Sequence, residues 1–244
     1  MPNTELNYDD YYRVWLHTLR PDCIFYDTGE DIPYGVDCAR LRRQKNSHRG
    51  IGHRTGLSVL EAQNVNQEFL EEISALGNLN YLELGYAVTA FDLTPLTTLS
   101  ELRILKINSP RNIVDFTPLL ALPKLERLFI ENAKHMTDLE WLGPLASQLT
   151  VLGIEGSMDT SKLIPSLTPL SGFSLEALFL TSTKLGDQNL LTLQSIRNLK
   201  ILSTALNAPR KEFEALHRAR PDLICSWFDP ESWENRRGPR PIRR

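Results

Sequence analysis

Apolar residues recur along the chain in a motif that places them at the first, fourth and sixth positions of a short segment. Five clear copies begin at Leu79, Leu102, Leu125, Leu149 and Leu175. Weaker copies begin at Leu57 and Leu199, so that successive first leucines lie 22, 23, 23, 24, 26 and 24 residues apart. Seven equivalent segments at this spacing predict a solenoid in which each unit adds one short strand to a parallel sheet.

A proline followed by leucine recurs between consecutive motifs, roughly a dozen residues after each predicted strand. It stands at Pro95, Pro118, Pro144 and Pro169. Proline has a fixed φ and suits the first turn of a helix that follows an extended segment. We therefore expect short 3₁₀ or α turns on the convex side. Asp92 and Asp115, which precede two of these prolines, are interpreted as caps of the turns.

These motifs resemble the leucine-rich-repeat proteins of the bacterial internalin type and of the phosphatase-regulatory type, with repeats of about 22 residues. The resemblance covers residues 57 to 228 and implies an α/β solenoid: a horseshoe with a parallel concave β-sheet, short helical or 3₁₀ convex turns and helical caps at both ends. The asparagine that this family carries at the ninth position of its motif is replaced here by Val65, Ala87, Pro110, Ala133, Ser157 and Thr183. Because the hydrogen bonds of that asparagine are missing or replaced, we expect irregular loops after the strands.

The chain is predicted to contain an N-terminal cap with a basic loop (1–55), the repeats (56–208), a C-terminal cap (209–235) and a disordered basic tail (236–244). A helix is expected over Tyr8–Leu19, where aromatic residues recur at helical spacing, and it is assigned to the N-terminal cap. A second helix is expected from Pro209 to Arg220, followed by a last strand at 223–225. Such caps are needed because an open solenoid exposes apolar residues at both ends.

Side chains alternate between the two faces of a strand, so the residues between the motif leucines face the concave side. Three of them are the aromatic residues Tyr81, Phe129 and Phe179, and exposed rings among charged groups are typical of protein-binding hot spots. Alternatively, loops or the N-terminal segment fold over these rings. The predicted partner-binding residues are Tyr81, Glu83, Lys106, Arg127, Phe129, Glu131, Glu155 and Phe179.

The formal net charge of −3 conceals an uneven distribution. Six basic residues lie between Arg40 and Arg54 and five more between Arg236 and Arg244, with no acidic residue in either segment. All 30 acidic residues therefore lie elsewhere, which favours a partner with a basic surface and disfavours nucleic acid. Both basic segments are interpreted as solvated, because no aromatic residue in them could stack on bases. Alternatively, Arg42 and Arg43 fold back onto the acidic concave face.

The sequence indicates no catalytic, metal or cofactor site. The histidines are scattered, and neither a zinc-protease motif nor a glycine-rich phosphate-binding loop occurs. Cys23, Cys38 and Cys225 lie far apart and are interpreted as reduced thiols. With no apolar run long enough for a membrane span and no signal-peptide pattern, a cytoplasmic location is the default expectation.

Three functional hypotheses follow. In the first, the chain is a non-catalytic recognition module that binds a protein on its concave face, for instance as an inhibitor or immunity-type protein of a toxin or effector. In the second, it is a scaffold or regulatory subunit that targets an enzyme through its basic segments. In the third, it is an enzyme whose site lies in the N-terminal region around Cys23, Asp37 and Cys38.

Overall fold

The computed structural model describes residues 23–157 and 159–234, so the predicted Tyr8–Leu19 helix and the tail 236–244 lie outside the described residues. Nine strands form one parallel sheet in the order β1-β2-β3-β4-β5-β6-β7-β9-β11, and β8 pairs with β10 in a small second sheet. The predicted α/β solenoid with a parallel sheet is confirmed.

The strands are β1 (Ile24–Tyr26), β2 (Cys38–Arg42), β3 (Val59–Gln63), β4 (Tyr81–Gly85), β5 (Ile104–Asn108), β6 (Arg127–Glu131), β7 (Val151–Glu155), β8 (Lys162–Ile164), β9 (Ala177–Leu180), β10 (Thr183–Leu185) and β11 (Ile201–Thr204). The α-helices are α1 (Gln67–Ile73), α2 (Arg210–Ala219) and α3 (Pro230–Glu234). The 3₁₀ turns are Ile51–His53, Thr94–Thr98, Thr117–Ala121, Glu140–Leu145, Thr168–Leu170, Leu191–Ser195 and Ser226–Phe228.

The motif leucines form the core of the solenoid. The strand register aligns them in rows: Leu82 pairs with Leu105, Leu105 with Leu128, and Leu128 with Leu152. These side chains are fully buried, as are the leucines of the convex turns such as Leu96. Each repeat therefore buries its apolar face against its neighbours, and together these faces form one continuous core.

The convex turns begin in the same way in successive repeats. The Asp92 and Asp115 carboxylates accept hydrogen bonds from the backbone N–H groups of Thr94 and Thr117, each at 2.8 Å. Asp138, Ser166 and Asn189 accept the equivalent bond in later repeats. These side chains satisfy backbone donors that a short helix leaves unpaired, so the predicted capping role is confirmed.

The loops after several strands begin with the same backbone conformation. The residue just before the ninth motif position has a left-handed backbone in four repeats, at Asn64, Ser109, Asn132 and Ser182, with φ between 50° and 58°. One ninth-position side chain also replaces the lost hydrogen bonds, since the Thr183 hydroxyl donates to the Leu180 carbonyl at 2.6 Å. A recurrent left-handed residue therefore turns the chain out of these strands, and the expectation of irregular loops beyond it stays a prediction.

The sheet begins two strands earlier than predicted. β1 and β2 continue the parallel register ahead of the first recognised motif, so Arg40 and Arg42 belong to a strand and not to a loop. Farther along the same basic segment, the Arg54 guanidinium is buried and donates to the Gly29 and Glu30 carbonyls at 3.2 and 2.8 Å. The predicted loop is therefore wrong at Arg40 and Arg42, and the predicted solvation is wrong at Arg54, whereas the domain boundary after residue 55 stays a prediction.

At the C-terminal end, α2 follows the last strand of the sheet. Phe213 and Leu216 on its apolar face are fully buried. The centroid of the Phe213 ring lies 6.1 Å from that of Trp227 and 5.7 Å from that of Trp233. The strand expected at 223–225 is only a single bridge, from Ile224 to Ile201. The contacts of α2 are those that a C-terminal cap requires, and the cap itself stays a prediction.

Candidate functional site

The side of the sheet opposite the leucine core carries the residues that the motif phase assigns to the concave face. The central row of this face runs through Phe25, Arg40, Glu61, Glu83, Lys106, Phe129, Gly153, Phe179 and Ser203. All eight predicted partner-binding residues lie on this face, seven of them on β4 to β7 and Phe179 on β9. The predicted side-chain phase is therefore confirmed, and their role in partner binding stays a prediction.

The N-terminal half of the concave face is charged. The Arg40 guanidinium pairs with Glu61 at 2.6 Å, and the Lys106 ammonium pairs with Glu83 at 3.2 Å. The Tyr81 hydroxyl donates to the same Glu83 carboxylate at 2.9 Å. Glu61 is buried and the side chains of Glu83 and Lys106 are mostly buried, so these pairs are less screened by solvent than surface pairs.

The C-terminal half of the concave face is apolar. Phe129, Val151, Ala177, Phe179 and Ile201 form a cluster that is separate from the leucine core. Gly153 lies between the two phenylalanines in the register and has no side chain. The centroids of the two rings are 6.1 Å apart. Sequence alternation assigns these rings to the correct face but does not reveal this gap, so Gly153 was missed.

The three aromatic rings are buried, although the sequence led us to expect them exposed. The exposed fractions are 4% for Tyr81, 2% for Phe129 and 0% for Phe179. The expectation of exposed rings is therefore wrong, although Leu128 and Leu178 are also fully buried on the opposite side, as the motif phase requires. Both faces of the sheet are thus apolar around β6, β7 and β9.

A cavity of about 130 Å³ lies between the charged half and the apolar half. Its lining includes Glu83, Lys106, Asn108, Phe129, Glu131 and Glu155. The Asn108 amide donates to Glu131 at 2.7 Å, and the Thr181 hydroxyl donates to Glu155. Three carboxylates and one ammonium make this cavity acidic. Asn108 was not among the predicted site residues, although its outward position on β5 could have indicated it.

Burial raises the pKa of Glu131 above its ordinary value. Lys106 opposes this shift and Glu83 adds to it. A carboxyl group with a raised pKa in the folded state destabilises the fold when it ionises. This destabilisation is absent at pH values below the unfolded-state pKa of about 4.5, and it develops as the pH rises through the folded-state pKa of Glu131.

Glu131→Gln is therefore expected to stabilise the protein at neutral pH and to have no effect near pH 4. The amide oxygen of glutamine can still accept the bond from Asn108. Urea unfolding of both proteins at several pH values measures the difference. A Glu131→Gln protein that is less stable than the parent at pH 7 would show that the carboxylate itself is needed.

The N-terminal region contains a covalent link that the sequence did not reveal. Cys23 and Cys38 form a disulfide with their Cα atoms 5.2 Å apart, so the interpretation of these two cysteines as reduced thiols is wrong. Cys225 is a buried free thiol, as expected, and burial raises its pKa to about 11. A thiol with such a pKa carries almost no thiolate at neutral pH and is a poor nucleophile.

Within residues 23–157 and 159–234, no group of three histidine, cysteine or acidic side chains is arranged to hold a metal ion. Over the same residues, no helix has the length and apolar character required to span a bilayer.

Comparison with known proteins identifies the fold. An internalin, InlF, of Listeria monocytogenes superposes with a TM-score of 0.58 and 23% sequence identity, over 78% of this chain and 53% of that one. The chain has the leucine-rich-repeat fold. A leucine-rich-repeat protein of Leptospira interrogans superposes with a TM-score of 0.53 and 20% identity, over 82% of this chain and 57% of its own.

This leucine-rich-repeat chain thus spans little more than half the length of the two solved structures. No protein family model and no curated protein matches its sequence. At these identities the likeness concerns the fold alone.

Proposed function

We propose that this leucine-rich-repeat chain is a non-catalytic recognition module that binds a protein partner on its concave face. The observation that supports this most directly is the acidic cavity lined by Glu83, Glu131 and Glu155, which lies beside an apolar cluster on the same face. Acidic groups gathered in one surface cavity favour a partner that carries the opposite charge.

The charges that line the cavity indicate the charge of the partner. Three carboxylates face a single lysine, Lys106, which already pairs with Glu83. The carboxylates in this lining outnumber the ammonium groups, and a lysine or arginine side chain of a partner would offset the difference in charge. A partner with a basic surface fits this face, and bare nucleic acid does not.

Reversing the charge at the cavity tests this proposal. Glu131→Lys and Glu155→Lys are each expected to weaken partner binding at least about tenfold, since each removes an attraction and adds a repulsion. Glu101→Lys is a matched control, because Glu101 lies outside the concave rows and forms a surface pair with Lys124. Partners recovered by affinity capture from the source cells are compared by titration with the three variants, each checked for folding by circular dichroism. Equal binding by all three would remove the concave face from the proposal.

The alternative functions have weaker support. A scaffold that uses the basic segment 40–54 would need free arginines there, but Arg40 and Arg42 bond to Glu61 and Gln63, and a scaffold that uses the tail 236–244 stays untested. An enzyme with a cysteine nucleophile in the N-terminal region would need a free thiol, but Cys23 and Cys38 are linked to each other. The narrower role of an inhibitor or immunity-type protein rests on analogy with small repeat proteins that act by occlusion.

The proposed cytoplasmic location conflicts with the Cys23–Cys38 disulfide. Disulfides persist in oxidising compartments and are rare where glutathione keeps thiols reduced. The disulfide favours a protein that reaches an extracytoplasmic compartment, and the redox state of these two thiols in cells decides between the two locations.

A further inference from the structure

A second cavity lies beyond the carboxyl ends of β6 and β7, beside the short strand β8. Its volume is about 400 Å³, and its lining includes Ala133, Lys134, Met136, Thr160, Lys162 and Leu163. We call it the flank cavity. It shares no lining residue with the acidic cavity of the concave face, so it is a separate site.

The lysine at the start of β8 reaches across the flank cavity. The backbone N–H of Lys162 donates to the Ser182 carbonyl at 2.8 Å, which holds this residue in line with β10. Its ammonium group donates to the Ala133 carbonyl at 2.7 Å and to the Met136 carbonyl, both in the loop after β6. An ammonium group has three N–H donors, so one of them is left for a further acceptor.

The charge of this ammonium group is not balanced inside the flank cavity. Two lysines and no acidic residue occur in the lining, and in the part of the chain that the structure describes neither Lys134 nor Lys162 forms an ion pair. Burial lowers the pKa of Lys162 below its ordinary value. Because a partly buried charge is costly unless an opposite charge accompanies it, an anion in the cavity would be bound favourably.

We propose that the flank cavity binds a small organic carboxylate, which accepts the third N–H of Lys162 and packs its apolar body against Met136 and Leu163. This site is independent of the proposed partner site on the concave face.

The size and the lining of the cavity indicate this class of ligand. Small-molecule sites have volumes of roughly 300–1,000 Å³, and the flank cavity lies within that range. Ala133, Met136 and Leu163 supply apolar walls, and the Leu163 side chain is open to solvent. A single partly buried ammonium group matches a single negative charge, and the hydroxyl groups of Thr160 and Ser161 can donate to a second carboxylate oxygen. A short fatty acid and the free carboxyl terminus of a peptide both have this chemistry.

Titration of the isotope-labelled full-length protein with hexanoate, followed by NMR, tests the site. Saturable shifts are expected for the backbone amide signals of Ala133, Thr160 and Leu163. Leu163→Glu should weaken hexanoate binding at least about tenfold, because it adds a like charge to the lining. Phe91→Glu is the matched control, since Phe91 is 64% exposed outside the lining and Leu163 is 59% exposed within it.

Both substitutions are at exposed positions, so both variants are expected to fold. Equal affinity of the two variants for hexanoate, or shifts in the parent protein that do not saturate, would overturn the proposal.

Three further probes separate the charge from the apolar body. Hexan-1-ol lacks the charge and inorganic phosphate lacks the body, so each is expected to bind at least about tenfold more weakly than hexanoate. Acetylglycylleucine carries the carboxylate as a peptide terminus does. Tighter binding of hexanoate would assign the site to free short-chain carboxylates, and tighter binding of the dipeptide would assign it to peptide carboxyl termini. Hexan-1-ol or phosphate binding as tightly as hexanoate would contradict a carboxylate site.

The ammonium contact can be measured in the parent protein without any substitution. A nearby carboxylate favours the charged form of lysine, so saturating hexanoate should raise the pKa of Lys162 from its lowered value. The titration is followed through the NMR signals of the lysine side chains. The signal of Lys211, an exposed lysine on α2, is the reference that should not respond to hexanoate. An unchanged pKa of Lys162 at saturation would show that the carboxylate does not contact the ammonium group.

Discussion

Phe179→Ala is expected to lower the free energy of unfolding by about 3–5 kcal/mol, as is typical when a fully buried phenylalanine is truncated. Phe179 lies outside the leucine core but is 0% exposed, and it packs against Phe129, Val151 and Ala177. The substitution removes a ring from an apolar cluster and leaves a cavity that the neighbouring glycine cannot fill. Urea unfolding at equilibrium, followed by circular dichroism, measures the difference.

The control for this prediction is Leu163→Ala. Leu163 is 59% exposed, and truncating an exposed side chain changes stability by no more than about 0.5 kcal/mol. A loss of the same small size for Phe179→Ala would mean that the ring is in contact with water, as the sequence alone had led us to expect. The pair of variants therefore separates burial on the concave face from the general effect of removing an apolar side chain.

The leucine core could be predicted from the sequence because each repeat carries its own copy of the information. Side-chain phase within a strand depends only on local alternation, so Leu128 and Phe129 could be assigned to opposite faces. The capping role of Asp92 and Asp115 was equally accessible, since a cap acts on a backbone N–H two residues away. Features of this kind depend on short-range geometry and repeat with the motif.

The state of the concave face could not be predicted in the same way. Alternation shows on which side Phe179 lies, but whether that side is covered depends on segments distant in sequence. The gap at Gly153, which lets the two rings approach, becomes visible only when three strands are placed in register. An outward position was therefore mistaken for an exposed one.

The N-terminal strands were missed for a related reason. β1 and β2 lack the leucine motif: the positions that align with its fourth residue hold Ile24 and Ala39. The same register places residue 23, just before β1, beside residue 38 at the start of β2, so these cysteines meet although they are 15 positions apart in the sequence. The sequence around a cysteine does not show which other cysteine it bonds to, because the fold brings the two together.

Removing this disulfide by Cys23→Ser/Cys38→Ser is expected to lower the free energy of unfolding by about 3 kcal/mol, the value for a closed loop of about 15 residues. The bond joins the edge strand β1 to β2, and without it the unfolded chain gains conformational freedom. Dithiothreitol should lower the stability of the parent protein to that of the double variant and leave the variant unchanged. This response to reductant isolates the bond from any effect of the serine side chains.

Thiol titration decides whether the bond exists in the purified protein. The parent protein, unfolded in guanidinium chloride without reductant, should expose one reactive thiol, that of Cys225. Three reactive thiols would contradict the disulfide and restore the cytoplasmic interpretation, because all three cysteines would then be reduced. One thiol would support an oxidising compartment, and it would show that the chain at the start of the edge strand β1 is covalently linked to β2.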